Sequence, residues 1–357
     1  MTIEAVRVAP PVTTLVDEPI AAALERVQVR ATALGGGMEV LGDAIARAGA
    51  GGKRFRPALV MRAFHAFAES TEAPAGLYAV ATAFELLHTA FVVHDDVIDR
   101  DTMRRGIPNI SGEFRARAHR QGANAPDARL LGDAAAILGG DLLLHEAIRM
   151  VALAEVDPAV RERLLGLFDD AVFVSAAGEL ADVENAIAPD CADTPALLRA
   201  ARDKTAVYSF SAPLQAGALV AGASADALTA LGEAGAALGL AFQLVDDLIG
   251  AFGSAAQAGR APGSDLREAK RTPLIALARE SSSWPRVRRA LARARSGPEG
   301  VRSAQRALDD SGARERLRAM IDDTLTNARA AARDTALSPA AGALITELAA
   351  RIEERIP

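Results

Sequence analysis

Phe91-Val92-Val93-His94-Asp95-Asp96 and Phe242-Gln243-Leu244-Val245-Asp246-Asp247 follow one pattern: an apolar run that ends on two adjacent aspartates. An ionised carboxylate at an apolar helix face has to be paired, bound to a cation or neutralised, because a low-dielectric setting penalises the bare charge. The pattern therefore predicts two core helices that carry acids to sites where cations gather. Around them, apolar residues recur at helical spacing over 59–67, 80–93, 164–174, 208–220, 228–245, 274–278 and 344–352. Alanine fills more than a fifth of the positions, aromatics are only 4%, and Val/Ile/Thr alternation is scarce. That bias lowers the cost of helix and leaves little material for sheet, so the expected fold is all-α with ten or more helices.

Turn chemistry marks joints at 49–52, 106–108, 121–127, 188–195, 253–263 and 296–300, none of them a long low-complexity linker. No repeat of solenoid length occurs. The simplest organisation is a single helical domain over 21–357 behind a flexible arm over 1–20, where Pro10, Pro11, Pro19, Asp17 and Glu18 replace the apolar core of a secretory signal. Apolar stretches such as 134–144 and 234–245 are broken before the ~20 residues that span a bilayer, so no transmembrane segment is expected.

The chain has 357 residues, half of them hydrophobic, which is ample for a large core. Its 40 Lys+Arg against 46 Asp+Glu give a formal charge of -6. No global basic field attracts nucleic acid or acidic membrane, and an anionic ligand has to be caught by local basic clusters. The lone cysteine, Cys191, excludes an intramolecular disulfide and a Cys-rich metal site, and fits a reducing, cytoplasmic compartment.

In Asp95-Asp96-Val97-Ile98-Asp99, a spacing of four stacks Asp95 and Asp99 on one helix face, ~6 Å apart in rise. Carboxylates without His or Cys partners favour Mg²⁺, which keeps waters and accepts substrate phosphates; the plainer alternative is a solvated acidic helix end. Arg104-Arg105-Gly106 follows closely and supplies guanidinium forks suited to phosphate oxygens. Upstream, Gly51-Gly52-Lys53-Arg54-Phe55-Arg56-Pro57 gathers three cations on a turn before a helix, without the spacing of a nucleotide-binding P-loop. His88 lies seven residues before Asp95 on the same stripe, where a core histidine is the plainer reading.

This ordered set resembles the trans-isoprenyl diphosphate synthases, or polyprenyl synthetases, from about Gly51 to Pro273. It comprises Gly52 to Pro57, Glu85-Leu86-Leu87-His88 through Asp99, Arg104-Arg105-Gly106, Gly140-Asp141, Lys204-Thr205, Phe242-Gln243 with Asp246-Asp247, and Gly263-Ser264-Asp265-Leu266-Arg267. The resemblance implies a helical bundle around a deep central cavity, a homodimer, and Mg²⁺-assisted condensation of isopentenyl diphosphate with an allylic diphosphate. By motif, Asp95, Asp99 and Asp246 would be metal ligands, with Asp96 and Asp247 behind them. Lys53, Arg56, His88 and Arg105 match the isopentenyl diphosphate site; Arg104, Lys204 and Arg260 match positions that hold the allylic diphosphate; Thr205 and Gln243 would lie near the developing cation. Two positions depart from the family: Gly250 stands where a third aspartate is frequent, and Arg260 where lysine is usual.

Such chemistry needs no protein nucleophile, only charge to stabilise the departing diphosphate and walls that exclude water from the cation. Phe91, four residues before Asp95, is placed to floor the cavity, with the small Ala90 beside it. Periodicity alone fits an ordinary core Phe equally well. In the family the chain resembles, bulky residues at this level go with short products, so a single ring beside a small residue implies the twenty-carbon geranylgeranyl product, with farnesyl next and long polyprenyl chains third. A class I terpene cyclase would carry an Asn/Asp-x3-Ser/Thr-x3-Glu motif, which is absent, and a non-catalytic subunit should have lost acids of the first cluster, all three of which are kept.

Overall fold

A computed structural model describes residues 12–70, 72–188, 192–258 and 261–357. Among them the chain forms seventeen α-helices, one π-helical turn and one short hairpin, bearing out the all-α expectation. The residues expected to form one domain fall into two compact units: one holds the chain up to Gly166 with Leu219–Ala221, the other Leu167–Ala218 and Gly222–Pro357.

In the first unit the order is α1 (Val12–Leu34), α2 (Gly36–Gly49), α3 (Phe55–Phe67), α4 (Ala75–Ile98), the strands β1 (Met103–Arg104) and β2 (Ile107–Pro108), α5 (Ile110–Arg120), α6 (Ala125–Ala152) and the start of α7 (Pro158–Ile187). α4 is apolar on nearly every side, so it is buried all round, packed on α6, α3 and α1. Its closest approach is to α6, where Gly140 is required: a Cβ there would strike the His94 ring. α6 starts cleanly because the Asn124 side chain accepts a hydrogen bond from the Asp127 N–H at 2.9 Å. α4 stops where Arg100 turns left-handed, at φ 62°. The hairpin pairs Met103 with Pro108 and Arg104 with Ile107. Arg105 and Gly106, at φ 53° and 80°, make the two-residue loop whose twist suits antiparallel strands.

The second unit continues through α8 (Thr194–Ala206), the π-helical turn Val207–Ser211, α9 (Ala212–Val220), α10 (Ala225–Phe252), α11 (Ala255–Ala258), α12 (Ser264–Glu268), α13 (Pro273–Arg279), α14 (Trp284–Ala294), α15 (Pro298–Asp310), α16 (Ala313–Ala331) and α17 (Pro339–Glu353). α10 is its central helix. Ser224 caps it by accepting from the Ala227 N–H at 3.2 Å, and it packs on α8, the π-helical turn, α16 and α17.

Two expectations change. The arm expected over 1–20 is helical from Val12, with Val16 and Ile20 buried in the core; residues 1–11 lie outside the described residues. Pro19 reads as a helix breaker in isolation, yet burial of the Val16, Ile20, Ala23 face holds the helix around it. Second, α4 and α10 are long and apolar enough to cross a membrane, although their apolar windows are 67% and 56% buried inside the protein. These are core helices that pass a composition test.

Arg54 ties three elements of the first unit together. It sits left-handed at φ 49° before α3, 5% exposed, and its guanidinium reaches Asp17 at 2.8 Å and Glu85 at 3.1 Å. Arg54→Ala should destabilise the protein by about 3–5 kcal/mol, because it strands the Glu85 carboxylate inside. Urea unfolding measures this, and a loss below about 1 kcal/mol, the scale of a surface pair, would show that the clasp is dispensable.

Candidate active site

In the first unit, the turn 49–54 and the hairpin 103–108 bring cations to the polar end of α4. Of the three cations in 53–56, Arg54 belongs to the structural clasp; Lys53 is exposed and Arg56 half-buried in the first turn of α3. His88 is held well below the ordinary imidazole range, first by burial and then by the nearby charges of Arg56, Arg104 and Arg105. A neutral imidazole in the field of three guanidinium groups, one of them already paired with Asp96, presents donors suited to an anion. Four of the residues expected to bind substrate thus share one environment. Gly52 lies beside them, with open contact toward Glu85 and Arg105.

About two and three turns further along, Asp95 is half-buried and Asp99 is exposed at the helix end. The Asp99 N–H donates to the Asp95 carbonyl at 2.8 Å, so the helical spacing that stacks these two acids holds up to the last residue. Asp96 is 3% exposed, and both Nε and Nη2 of Arg104 reach its Oδ1, at 2.9 and 2.6 Å. Burial pushes its carboxyl up from the ordinary range while Arg104 pulls it down. Arg104 therefore anchors the hairpin to α4 and carries Arg105 on the loop beyond it.

In the second unit, Lys204 and Thr205 close α8 just before the π-helical turn. Lys204 Nζ meets Glu179 at 2.9 Å and Asp182 at 3.0 Å on α7. The Thr205 hydroxyl donates to Gln243 Oε1 at 3.1 Å, and Gln243 Nε2 donates to Asp247 Oδ1 at 3.1 Å. Asp247 is pushed up to about 8, first by burial and then, against the Gln243 hydrogen bond, by the neighbouring charges of Asp265, Asp246 and Asp182. Gly250 acquires a reason here: a Cβ at that position would collide with the Asp265 carboxylate, which is 6% exposed and fills the space. Asp246 pairs with Arg355, whose guanidinium lies 4.3 Å from the centre of the Phe242 ring. Arg260 falls outside the described residues.

The sequence reading passed over Glu179, Asp182 and Arg355, and quoted Glu85 within a motif without giving it a role. Glu179 and Asp182, three apart on one helix face, left a readable signal. Arg355 left none, since 109 residues separate it from Asp246.

Among the described residues no three His, Cys, Asp or Glu side chains converge into a cage that could hold a metal unaided. The acids present still fit Mg²⁺. They offer only hard oxygen donors, and beside the buried Asp247 the carboxylates of Asp265, Asp246 and Asp182 gather negative charge. Asp95 and Asp99 in the first unit, and Asp246 in the second, each offer oxygens that could hold such an ion, with waters completing its shell.

A family model described as polyprenyl synthetase matches residues 39–308. The chain is 30% identical over 227 residues to the geranylgeranyl diphosphate synthase of Sulfolobus acidocaldarius, covering 63% of this chain and 62% of that protein. It is 33% identical over 235 residues to the octaprenyl diphosphate synthase of Haemophilus influenzae, covering 65% and 63%. The chain thus aligns with less than two thirds of the length of these curated relatives. A crystal structure of geranylgeranyl pyrophosphate synthase from Corynebacterium glutamicum, complexed with isoprenyl diphosphate and magnesium, superposes with a TM-score of 0.86 at 26% identity, covering 96% of this chain and 98% of that one.

The protonated state of Asp247 has a measurable consequence. Folded, it keeps its proton up to about pH 8; unfolded, it loses it near 3.9. Between those values the folded chain binds more protons, so this group's contribution to stability falls as pH rises, by at most about 1.4 kcal/mol per unit, and levels off above about pH 8. Without metal, Asp247→Asn should flatten this part of the stability profile in urea unfolding between about pH 5 and 8. A variant profile parallel to the wild type's would exclude a buried protonated Asp247.

Proposed function

Because the chain belongs to the polyprenyl synthetase family, we propose that it is a prenyltransferase that condenses isopentenyl diphosphate with an allylic diphosphate. The observation that carries this reading is the neutral His88 within the field of Arg56, Arg104 and Arg105, on the same stripe of α4 as Asp95. A diphosphate suits this positive field, and Asp95 and Asp99 would hold hard divalent ions that supply further positive charge for it. Lys53, Arg56, His88 and Arg105 hold isopentenyl diphosphate in this reading, while Arg104, Lys204 and Arg260 act on the allylic diphosphate. Mg²⁺, held by Asp95, Asp99 and Asp246, supplies charge stabilisation for the leaving diphosphate.

The chain's own residues bind, orient and exclude water. Thr205 and Gln243 form a neutral hydrogen-bonded pair whose dipoles stabilise a nearby carbocation without offering it a nucleophile. Lys204 is held by two acids in the absence of ligand, so a bound diphosphate competes with Glu179 and Asp182 for it. No side chain need attack, because the double bond of isopentenyl diphosphate is the nucleophile and the released diphosphate can take the proton.

The proposed product is geranylgeranyl diphosphate. Ala90 is fully buried in the core, whereas Phe91 is only half-buried, the state of a ring that borders an accessible space. Exposed apolar residues on α7 favour a homodimer: Phe173, Leu180 and Ile187, spaced by seven, are 76%, 61% and 77% exposed along one stripe. A reducing, cytoplasmic setting fits the single cysteine.

Incubation with Mg²⁺, isopentenyl diphosphate and each allylic primer in turn, followed by sizing of the products, tests the activity. EDTA should abolish turnover, and Asp95→Ala should lower kcat by about 10²–10³-fold or more with the fold intact. Near-normal turnover in that variant would remove the first metal site from the reading.

Product length is tested separately. Phe91→Ala should lengthen the product by one or more five-carbon units, read by chromatography of the dephosphorylated alcohols. An unchanged product would place the floor on another helix. Ala90→Phe is the weaker probe, since a ring forced into a fully buried site costs about 1–3 kcal/mol in overpacking.

A further inference from the structure

The segment that follows α17 turns back onto α10. Arg314 and Arg318 on α16 both donate to the Pro357 carbonyl, at 3.3 and 3.0 Å, and the Arg314 guanidinium also lies 4.2 Å from the centre of the Phe252 ring on α10. Within this clasp Arg355 bonds Oδ1 of Asp246 through Nη2 and stacks on Phe242. Phe242 precedes Asp246 by four residues, so ring and carboxylate share one face of α10 and meet the guanidinium together. Arg355 is therefore fixed from three directions: by the carboxylate, by the ring and by the pinned chain around it.

We propose that Arg355 is the positioning residue of Asp246, holding one carboxylate oxygen so that the group meets a divalent cation in a single orientation. This rests on the prenyltransferase reading for the identity of the cation site. Two effects of such an arginine oppose each other. Its charge competes with a metal, whereas its hydrogen bond through Nη2, backed by the stack on Phe242, removes rotational freedom that a metal would otherwise have to freeze out. Competition is the weaker effect here, because the side chains of Arg355 and Asp246 are 36% and 39% exposed and water screens their Coulomb interaction. Orientation is not screened, because it is imposed by contacts and by the clasp. Outer partners of metal-binding groups typically change metal affinity by about 10–100-fold when removed.

The test is a titration of Mn²⁺ in the presence of inorganic diphosphate, followed by electron paramagnetic resonance, on the full chain and on Arg355→Ala, Arg355→Gln and Arg355→Lys. Arg355→Ala should weaken Mn²⁺ binding about tenfold, Arg355→Lys should recover part of that loss, and turnover should show the same shift in metal half-saturation. Arg351→Ala, an exposed neighbour on α17 paired with Glu347, serves as the control and should leave both readouts unchanged. Thermal melting identifies any variant that fails to fold; should Arg355→Ala fail, Arg355→Gln, which keeps the stem and a planar head against Phe242, decides. Unchanged Mn²⁺ affinity in the folded variants overturns the proposal, and so does tighter binding, which would make Arg355 an occupant that the metal displaces. A wild-type chain that binds Mn²⁺ but transfers no prenyl group overturns the function reading alone, since the titration still reports on Arg355.

Discussion

Asp96 and Asp247 follow apolar runs of α4 and α10 with 3% and 9% exposure, and a buried carboxylate that is neither paired nor protonated is among the costliest groups a fold can carry. The two units answer that constraint differently. Asp96 receives both Nε and Nη2 of Arg104, which requires the chain after α4 to double back as a hairpin and set Arg104 over the helix end. Asp247 receives only an amide hydrogen bond from Gln243 and sits among other acids, so it keeps a proton instead. Local features of each unit follow from these choices: the left-handed turn at Arg105 in one, and the Thr205-Gln243-Asp247 ladder in the other.

The same electrostatics set what the residues can do. His88 is held neutral first by burial and then by the cations around it, so it can hydrogen-bond a phosphate but does not bring a proton to one. Lys204 is flanked by Glu179 and Asp182, which hold its ammonium in place before any ligand arrives. Neither set is arranged around a nucleophile. Both present cations, which suits the proposed reaction, whose leaving group is a diphosphate.

Gly250 illustrates how a departure in a motif can be local and still coherent. Read alone, it is a missing carboxylate. In the fold it is the opening through which the Asp265 carboxylate enters, so acidity at that point of α10 is supplied from α12. Arg54 gives the opposite case. Read alone, it is one of three cations gathered for an anion; in the fold it is a buried clasp on Asp17 and Glu85, and the anion site is left to its neighbours.

The sequence by itself determined the helical class, the two acidic helix ends, and the cluster of Arg56, His88, Arg104 and Arg105, because these depend on periodicity and on spacings within a turn or two of helix or within a short loop. It misjudged the start of α1, where Pro19 outweighed the Val16 and Ile20 pair whose burial is a tertiary fact. Only the tertiary structure decided which cation is structural and which faces a ligand site, that Asp247 carries a proton, and that Asp265 and Arg355 complete the surroundings of α10. The reason is range: hydrogen-bonded spacing acts over a few residues, whereas charge pairing and exclusion of water act through space, and the 109 residues between Asp246 and Arg355 leave no local trace of their contact.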